Sequence, residues 1–145
     1  MQAYTRPDWE HYYLGVAQAV SRRSSCLRRK YGVVIVKDNH IVSTGYNGAP
    51  KGVANCCDTG ICVRKENKIP HGERYELCDG VHGETNAMIK ASPEELQGAT
   101  LYLYGYDIEL GKTIDAVPCI MCERNLKNSG IEKIIGSKFD ENYLS

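Results

Sequence analysis

Two short fragments constrain this chain most, His82-Gly83-Glu84 and Pro118-Cys119-Ile120-Met121-Cys122. Cysteines three residues apart at the beginning of a helix lie on one face, so both sulfurs can bind one metal ion. The unpaired N–H groups of a helix N-terminus favour the thiolate form that binds metal. His82 offers a third ligand, and three protein ligands leave one tetrahedral position open for water. The fragments therefore predict a catalytic zinc site formed where two helices begin.

Glu84 follows His82 by two residues, a spacing that points the side chains apart on a regular helix. Both can address one site only near a helix start, so we expect Glu84 to carry protons and not to bind zinc. Zinc lowers the pKa of a bound water from about 15.7 to about 7. The bound water is therefore available as hydroxide at neutral pH. The order H-x-E and then P-C-x-x-C is typical of the zinc nucleobase deaminases, in which the zinc-bound hydroxide attacks C4 of cytosine. The main alternative is a closed structural zinc knuckle that uses one more cysteine.

Length and composition indicate one globular domain over residues 1–145. Eighteen basic side chains balance eighteen acidic ones, which argues against a nucleic-acid-coating protein because such binding needs excess positive charge. No apolar stretch suits a signal peptide or a membrane span. Seven cysteines without an export signal indicate metal ligands or reactive thiols and not a disulfide framework. We therefore expect a cytoplasmic protein, in the host cytoplasm if the chain is viral, with no membrane partner.

Periodicity predicts an α/β fold with helices packed on a sheet. Helices are expected over 7–22, from 82 through 89, from Pro93 in a capping box that begins at Ser92, and over 118–126 with Pro118 at the first helical position. Strands are expected over 31–36, 41–46, 100–106 and 131–135, the first two joined as a hairpin by the polar turn 37–40. The predicted apolar stripe of the first helix consists of Trp9, Tyr12, Tyr13, Val16, Ala19 and Val20.

Residues 47–80 lack periodicity and are dense in glycine, proline, cysteine and charge, so they are expected to form a long functional loop. Cys26, Cys56, His71 and Cys78 could close a second, structural zinc site that ties this loop to the first helix. Buried free cysteines are the ordinary alternative. Spacing does not choose among Cys56, Cys57, Cys62 and Cys78.

The chain resembles the cytidine and deoxycytidylate deaminase superfamily, most closely its deoxycytidylate (dCMP) branch, over residues 24–135. Besides HGETNA and PCIMC, the resemblance rests on YGVVIVKDNHIVSTGYNGAPKG, on NCCD beginning at Asn55, and on GERYELCDGVHGE. It implies a three-layer fold, in which a mixed sheet carries helices on both faces. It also implies hydrolysis of dCMP to dUMP, which feeds thymidylate synthesis.

Further expectations come from the same resemblance. Asn47, at the end of a strand, would hydrogen-bond the sugar, and the backbone N–H of Gly83 would donate to the base carbonyl. Members form homo-oligomers, as hexamers or dimers, and are activated by dCTP and inhibited by dTTP. Mg²⁺ is a further cofactor candidate with such nucleotide effectors.

Two features depart from the family pattern. Gly83 stands where members usually have alanine, which loosens the first helical turn at a cost below about 1 kcal/mol. Residues 105–117 are longer than the usual loop before the P-C pair, and we expect them to alter the rim of the base pocket. For Tyr104 and Tyr106 we prefer packing in the core or at the rim to base stacking.

Three other functions compete with the dCMP reaction. The nearest is deamination of free cytidine, CMP or another aminated base; a nucleotide substrate needs cations for its phosphate, and Lys51, Arg28 and Arg74 are available. An editing enzyme for tRNA or DNA would need a basic face. A zinc-stabilised nucleotide-binding module would have no use for Glu84.

Overall fold

The computed structural model describes residues 1–70, 73–74, 77–78 and 80–143, in which one sheet of five strands organises the chain. The strands are β1 (Arg29–Lys37), β2 (His40–Tyr46), β3 (Thr100–Asp107), β4 (Lys112–Ile114) and β5 (Lys133–Gly136). The helices are α1 (Trp9–Ser21), α2 (Cys56–Thr59), α3 (Val63–Glu66), α4 (Gly83–Ile89), α5 (Pro93–Leu96) and α6 (Ile120–Ser129). The predicted α/β class is confirmed.

The β1–β2 hairpin forms at the predicted turn. Lys37 pairs with His40, and the two residues between them, Asp38 and Asn39, have φ angles of 50° and 62°. Positive φ at both central positions is the geometry of a type I′ turn, whose twist matches that of the flanking strands. Aspartate and asparagine tolerate this region better than most residues.

The sheet is mixed, as expected. β1 pairs antiparallel with both β2 and β3, so it lies inside the sheet. The far side of β3 is divided between β5, which pairs parallel with Thr100 to Leu103, and β4, which pairs antiparallel with Gly105 to Asp107. The strand β4 was not predicted; it lies in the long segment 105–117 and returns along β3 as a short hairpin.

Helices cover both faces of the sheet. Successive residues of β1 point to opposite sides: Val33 and Ile35 pack with Ala87 of α4 and Leu126 of α6, whereas Val34 packs with α1. Burial on both faces explains the nearly continuous apolar run of this strand. Three layers result, α1 on one side and α4 with α6 on the other.

The predicted apolar stripe of α1 is wrong in part. Trp9 and Tyr12 are 61% and 46% exposed, whereas the buried positions are Tyr13, Leu14, Ala17 and Ser21. Close packing rotates the helix: a Cβ on Gly32 of β1 would come within 1.9 Å of the Ala17 carbonyl oxygen. The small side chains of α1 therefore face the strand, and its larger aromatic rings lie at the edge of the contact.

The predicted long loop contains two single helical turns, α2 and α3, which sequence periodicity did not reveal because each has only four residues. The capping box at α5 is confirmed, with the Ser92 hydroxyl accepting from the Glu95 N–H and Glu95 accepting from the Ser92 N–H. Within the described ranges, no helix combines the length and the apolar character that crossing a membrane requires.

Candidate metal centre

The two sequence fragments lie at two helix starts, as predicted. His82 is the N-cap of α4, with extended backbone angles (φ −67°, ψ 150°), and Glu84 is in the first turn. Cys119 is the N-cap of α6, and its sulfur accepts a hydrogen bond from the Cys122 N–H at 3.4 Å. Pro118 therefore precedes the cap instead of occupying the first helical position. The reason is that Cys119 itself does what a serine or aspartate cap does, accepting an otherwise unpaired N–H.

The three predicted ligands converge. His82 Nδ1 lies 3.2 Å from Cys122 Sγ and 3.6 Å from Cys119 Sγ, and the three ligand atoms all lie within 4.8 Å of one another. A nitrogen and a sulfur bound tetrahedrally to one zinc at ordinary bond lengths would be about 3.5 Å apart. One imidazole and two thiols are also a donor set that zinc prefers. The cluster therefore fits zinc in both distances and chemistry.

The cluster has no fourth side-chain ligand in the part of the chain that the structure describes. Glu84 is not a member of it, yet this carboxylate is only 5% exposed and lies beside Cys122. Burial first, and then the charge of Glu84, raise the pKa of the Cys122 thiol far above its usual range. A cation shared by the sulfurs would offset both effects, so the buried charges are consistent with a metal ion at this point.

A cavity of about 530 Å³ opens beside the cluster, a volume ordinary for a small-molecule site. His82, Gly83, Glu84 and Cys119 line it, together with apolar walls that the sequence analysis did not single out. These walls include Tyr31, Val81, Leu103 and Val117. Two of these wall residues could have been predicted from their place beside the two motifs, since Val81 directly precedes His82 and Val117 directly precedes Pro118.

Asn47 lines the cavity, but most of its amide is committed to the protein. Its Oδ1 accepts from Ser24 Oγ at 2.5 Å and from the Tyr31 N–H at 2.9 Å. Its Nδ2 donates to the Arg29 carbonyl at 2.9 Å. These bonds tie the end of β2 to the beginning of β1, and they leave the second Nδ2 proton as the group that can meet a ligand.

The three cations suggested for a phosphate and the two tyrosines lie in different places relative to the cavity. Arg28 lines the cavity, whereas Lys51 and Arg74 are exposed and are not among its lining residues. Tyr104 is buried and its hydroxyl lies 2.6 Å from Thr113 Oγ1, while Tyr106 packs against the same core. Core packing, the preferred interpretation of both tyrosines, is confirmed.

The two departures from the family pattern have different consequences. A Cβ on Gly83 would lie 3.2 Å from a Val33 methyl and 3.5 Å from the Gly45 carbonyl oxygen, which is tight but short of a clash. The long segment 105–117 forms the β3–β4 hairpin, and Val117 at its end is exposed while lining the cavity.

The residues suggested for a second zinc lie near the same cavity. Cys26, Cys56 and Cys78 line it, and His71 falls outside the described residues. Cys26 Sγ accepts from the Arg28 N–H, and Cys78 Sγ accepts from the Gly80 N–H, both at 3.4 Å. Over the residues that are described, His82, Cys119 and Cys122 remain the one grouping of three or more potential ligand atoms.

Comparison with known proteins places this geometry in a family. A model described as the cytidine and deoxycytidylate deaminase zinc-binding region matches residues 7–138. The deoxycytidylate deaminase of Mycobacterium phage D29 is 39% identical over 139 residues, covering 92% of this chain and 98% of the phage protein. The deoxycytidylate deaminase of Schizosaccharomyces pombe is 32% identical over 130 residues, and the match spans 90% of this chain but 37% of the yeast protein.

Solved structures give the same result. The dCMP deaminase of cyanophage S-TIM5 in apo form superposes with a TM-score of 0.65 at 26% identity, covering 92% of this chain and 86% of that one. The same enzyme in complex with dCMP and dUMP gives a TM-score of 0.64 at 25% identity, with coverages of 92% and 83%. With a converging His/Cys/Cys cluster, a matching fold and a family model that spans most of its length, this chain belongs to the cytidine and deoxycytidylate deaminase family.

Proposed function

We propose that this chain, as one deaminase domain over residues 1–145, hydrolyses dCMP to dUMP and ammonia and so supplies dUMP for thymidylate synthesis. The observation that carries the proposal is the buried Glu84 beside the His82, Cys119 and Cys122 cluster on the wall of a ligand-sized cavity. Relatives named deoxycytidylate deaminase support dCMP as the substrate, as does the cyanophage enzyme solved with dCMP and dUMP.

His82, Cys119 and Cys122 would hold the zinc ion. When bound, zinc supplies Lewis acidity and a nucleophile that is available at neutral pH. Glu84 takes a proton from the attacking water, delivers one to ring N3, and assists the departure of the amine at C4 as ammonia. The Gly83 N–H, in the first turn of α4 where helices leave such groups unpaired, donates to the base carbonyl. The cavity walls exclude bulk water from the ring.

Two further residues were predicted to bind the substrate, and their positions differ. Asn47 can contact the sugar through its remaining Nδ2 proton, so its substrate role is retained in the proposal. A substrate-binding role for Lys51 stays a prediction. Lys51 is exposed and does not line the cavity, so its position does not support that role.

A substrate panel tests the proposal. Ultraviolet absorbance should show that dCMP is deaminated with a higher kcat/KM than CMP, deoxycytidine or cytidine, and metal analysis should find zinc bound to the active chain. Chelation should abolish turnover, and added zinc should restore it. A chain that binds zinc but deaminates none of the four compounds would instead be a nucleotide-binding module.

The remaining expectations concern regulation and assembly, and they stay predictions. Two zinc ions per chain would support the second site at Cys26, Cys56, His71 and Cys78, although the sulfurs of these three cysteines do not all lie within 4.8 Å of one another. Activation by dCTP with Mg²⁺ and inhibition by dTTP would show allostery. Light scattering would distinguish a hexamer from a dimer. A cytoplasmic location, or the host cytoplasm for a viral chain, also stays a prediction.

A further inference from the structure

Tyr31 forms part of the cavity wall directly beside Asn47, the residue proposed to contact the sugar. Its backbone N–H donates to Asn47 Oδ1 at 2.9 Å, so the two side chains begin at neighbouring points of the wall. Tyr31 packs against the same part of the core as Val33 and Ile35, on the face of the sheet that α4 covers. Its ring therefore lies on the side of the sheet that carries the metal cluster.

The ring of Tyr31 is held along its length and at its tip. Gly105 stands opposite it in the register of β1 and β3, and a Cβ there would come within 2.9 Å of Tyr31 Cε1 and 3.1 Å of Ile114 Cγ1. A residue without a side chain leaves this space to the ring. The Tyr31 hydroxyl is hydrogen-bonded to the Arg29 side chain, whose Nε lies 3.1 Å from Asp107 Oδ2. The cavity therefore has a preorganised aromatic wall at this point.

The strand β1 also sets the order of groups along the cavity. Val33, two residues further along β1, lies against the start of α4, since a Cβ on Gly83 would be 3.2 Å from a Val33 methyl. Gly83 is the residue proposed to donate to the base carbonyl. Two residues of a strand span about 7 Å, so Tyr31 lies one such step from the base position, toward Asn47. The sugar attached to the base would therefore lie against Tyr31.

Resting on the proposed function, we infer that Tyr31 is a specificity-determining residue, which selects deoxyribose over ribose at the 2′ position. Deoxyribose carries only carbon and hydrogen at C2′, which suits contact with an aromatic ring. A ribose hydroxyl pressed against the same ring would lose its water without gaining a partner, because the phenol oxygen is held by Arg29. The remaining Nδ2 proton of Asn47 serves a single sugar oxygen, which leaves none for a second hydroxyl.

The experiment compares Tyr31→Val with the matched control Tyr106→Val. Tyr106 is another partly buried tyrosine of the same sheet, but it packs in the core on the opposite face and does not line the cavity. For each protein, kcat/KM is measured on dCMP and on CMP, and the affinities for dUMP and UMP are measured calorimetrically. A smaller side chain lets water reach a 2′-hydroxyl, so the dCMP-to-CMP ratio of Tyr31→Val should fall by about 10-fold. The dUMP-to-UMP affinity ratio should fall with it, whereas Tyr106→Val should keep both wild-type ratios.

A second variant, Tyr31→Phe, separates the effect of the ring from that of its hydroxyl. Phenylalanine keeps the carbon wall and loses only the hydrogen bond to Arg29, so its dCMP-to-CMP ratio should stay close to that of the wild type. A loss as large as that of Tyr31→Val would assign the preference to the hydroxyl, and the carbon wall would be the wrong explanation.

The outcomes separate this inference from the proposed function. A Tyr31→Val variant that loses the same factor on dCMP and CMP, or that keeps the wild-type ratios, overturns the role in sugar selection and leaves the deaminase function standing. If the wild-type chain deaminates none of the substrates, the proposed function fails, and the dUMP-to-UMP affinity ratios still decide the role of Tyr31. Equal affinity of the wild-type chain for dUMP and UMP would reject that role.

Discussion

At the scale of single residues, Glu84 shows how a helix start brings neighbouring side chains to one site. The extended backbone of His82 lets two residues that would diverge along a helix line the same cavity. Replacement of Glu84 by glutamine keeps the size of the side chain and removes its ability to accept a proton. We expect dCMP turnover to fall by about 10²–10⁴-fold, the usual worth of a catalytic proton carrier. Zinc content should remain that of the wild type.

Ultraviolet assay and metal analysis of the same samples check this prediction. Glu132→Gln is the control, because this carboxylate is exposed and is not among the residues lining the cavity. Wild-type turnover in Glu84→Gln would remove Glu84 from the mechanism. Loss of zinc together with turnover would make it a structural support of the cluster.

Sequence spacing could predict the metal cluster because each half of it is local. Cys119 and Cys122 are fixed relative to one another by one helical turn, and so are His82 and Glu84 at the cap of α4. The walls of the cavity depend on tertiary packing, so Tyr31 and Leu103 gave no signal.

At the scale of elements, the contact between β2 and α4 holds the catalytic helix in place. A Cβ on Gly45 would lie 2.4 Å from the Gly83 carbonyl oxygen and 2.5 Å from the Ala87 nitrogen, both backbone atoms. No rotamer change relieves such a clash, so α4 would have to move. We expect Gly45→Ala to lower the free energy of unfolding by about 1–3 kcal/mol, the range for overpacked cores. Turnover should fall as well, since α4 carries Glu84.

Gly83→Ala provides a matched control from the opposite side of the same contact. Its Cβ would meet a Val33 methyl at 3.2 Å, and a methyl group can shift slightly. Because alanine also reduces the entropy of the unfolded chain, we expect unfolding free energy to change by less than about 1 kcal/mol. Urea unfolding measures both variants. Equal destabilisation by the two would contradict this account of the contact.

Elements with their own local chemistry could be predicted from sequence, whereas those set by neighbours could not. The Asp38-Asn39 turn and the α5 capping box each carry their signal within four residues. The three-residue strand β4 pairs only because β3 is already in place. The rotation of α1 likewise depends on Gly32, a residue of another element.

At the scale of the whole molecule, the beginning of α1 and the end of the described chain meet through a charged cluster. His11 Nδ1 lies 2.8 Å from Asp8 Oδ1, and its Nε2 contacts the Glu141 carboxylate. The Tyr143 hydroxyl donates to Glu141 at 3.0 Å and accepts from the Lys138 N–H at 2.9 Å. Because Tyr143 is buried against α1, the cluster ties residues 138–143 to the face of the sheet that α1 covers.

The stability that this cluster gives the folded chain should depend on pH. Hydrogen bonds to Glu141 and then Asp8 raise the pKa of His11 above 6.5. The contribution of His11 to the free energy of unfolding is therefore complete below pH 6.5 and is lost as the pH rises through the raised pKa. Hydrogen bonding to His11 lowers the pKa of Glu141 below 4.5 and that of Asp8 below 3.8. Their contributions are present above those values and are lost as the pH falls. The cluster should therefore stabilise the chain most between pH 4.5 and 6.5.

A double-mutant cycle with His11→Ala, Glu141→Gln and the double variant isolates this interaction from the packing that each change also disturbs. Unfolding free energies at about pH 6 and about pH 9, on either side of the histidine titration, should give a coupling energy that is present at the lower pH and shrinks at the higher. High salt should weaken the coupling, because all three side chains are partly exposed and screened by solvent. A coupling energy that is the same at both pH values would mean that His11 holds Glu141 as a neutral hydrogen-bond partner, without a charge.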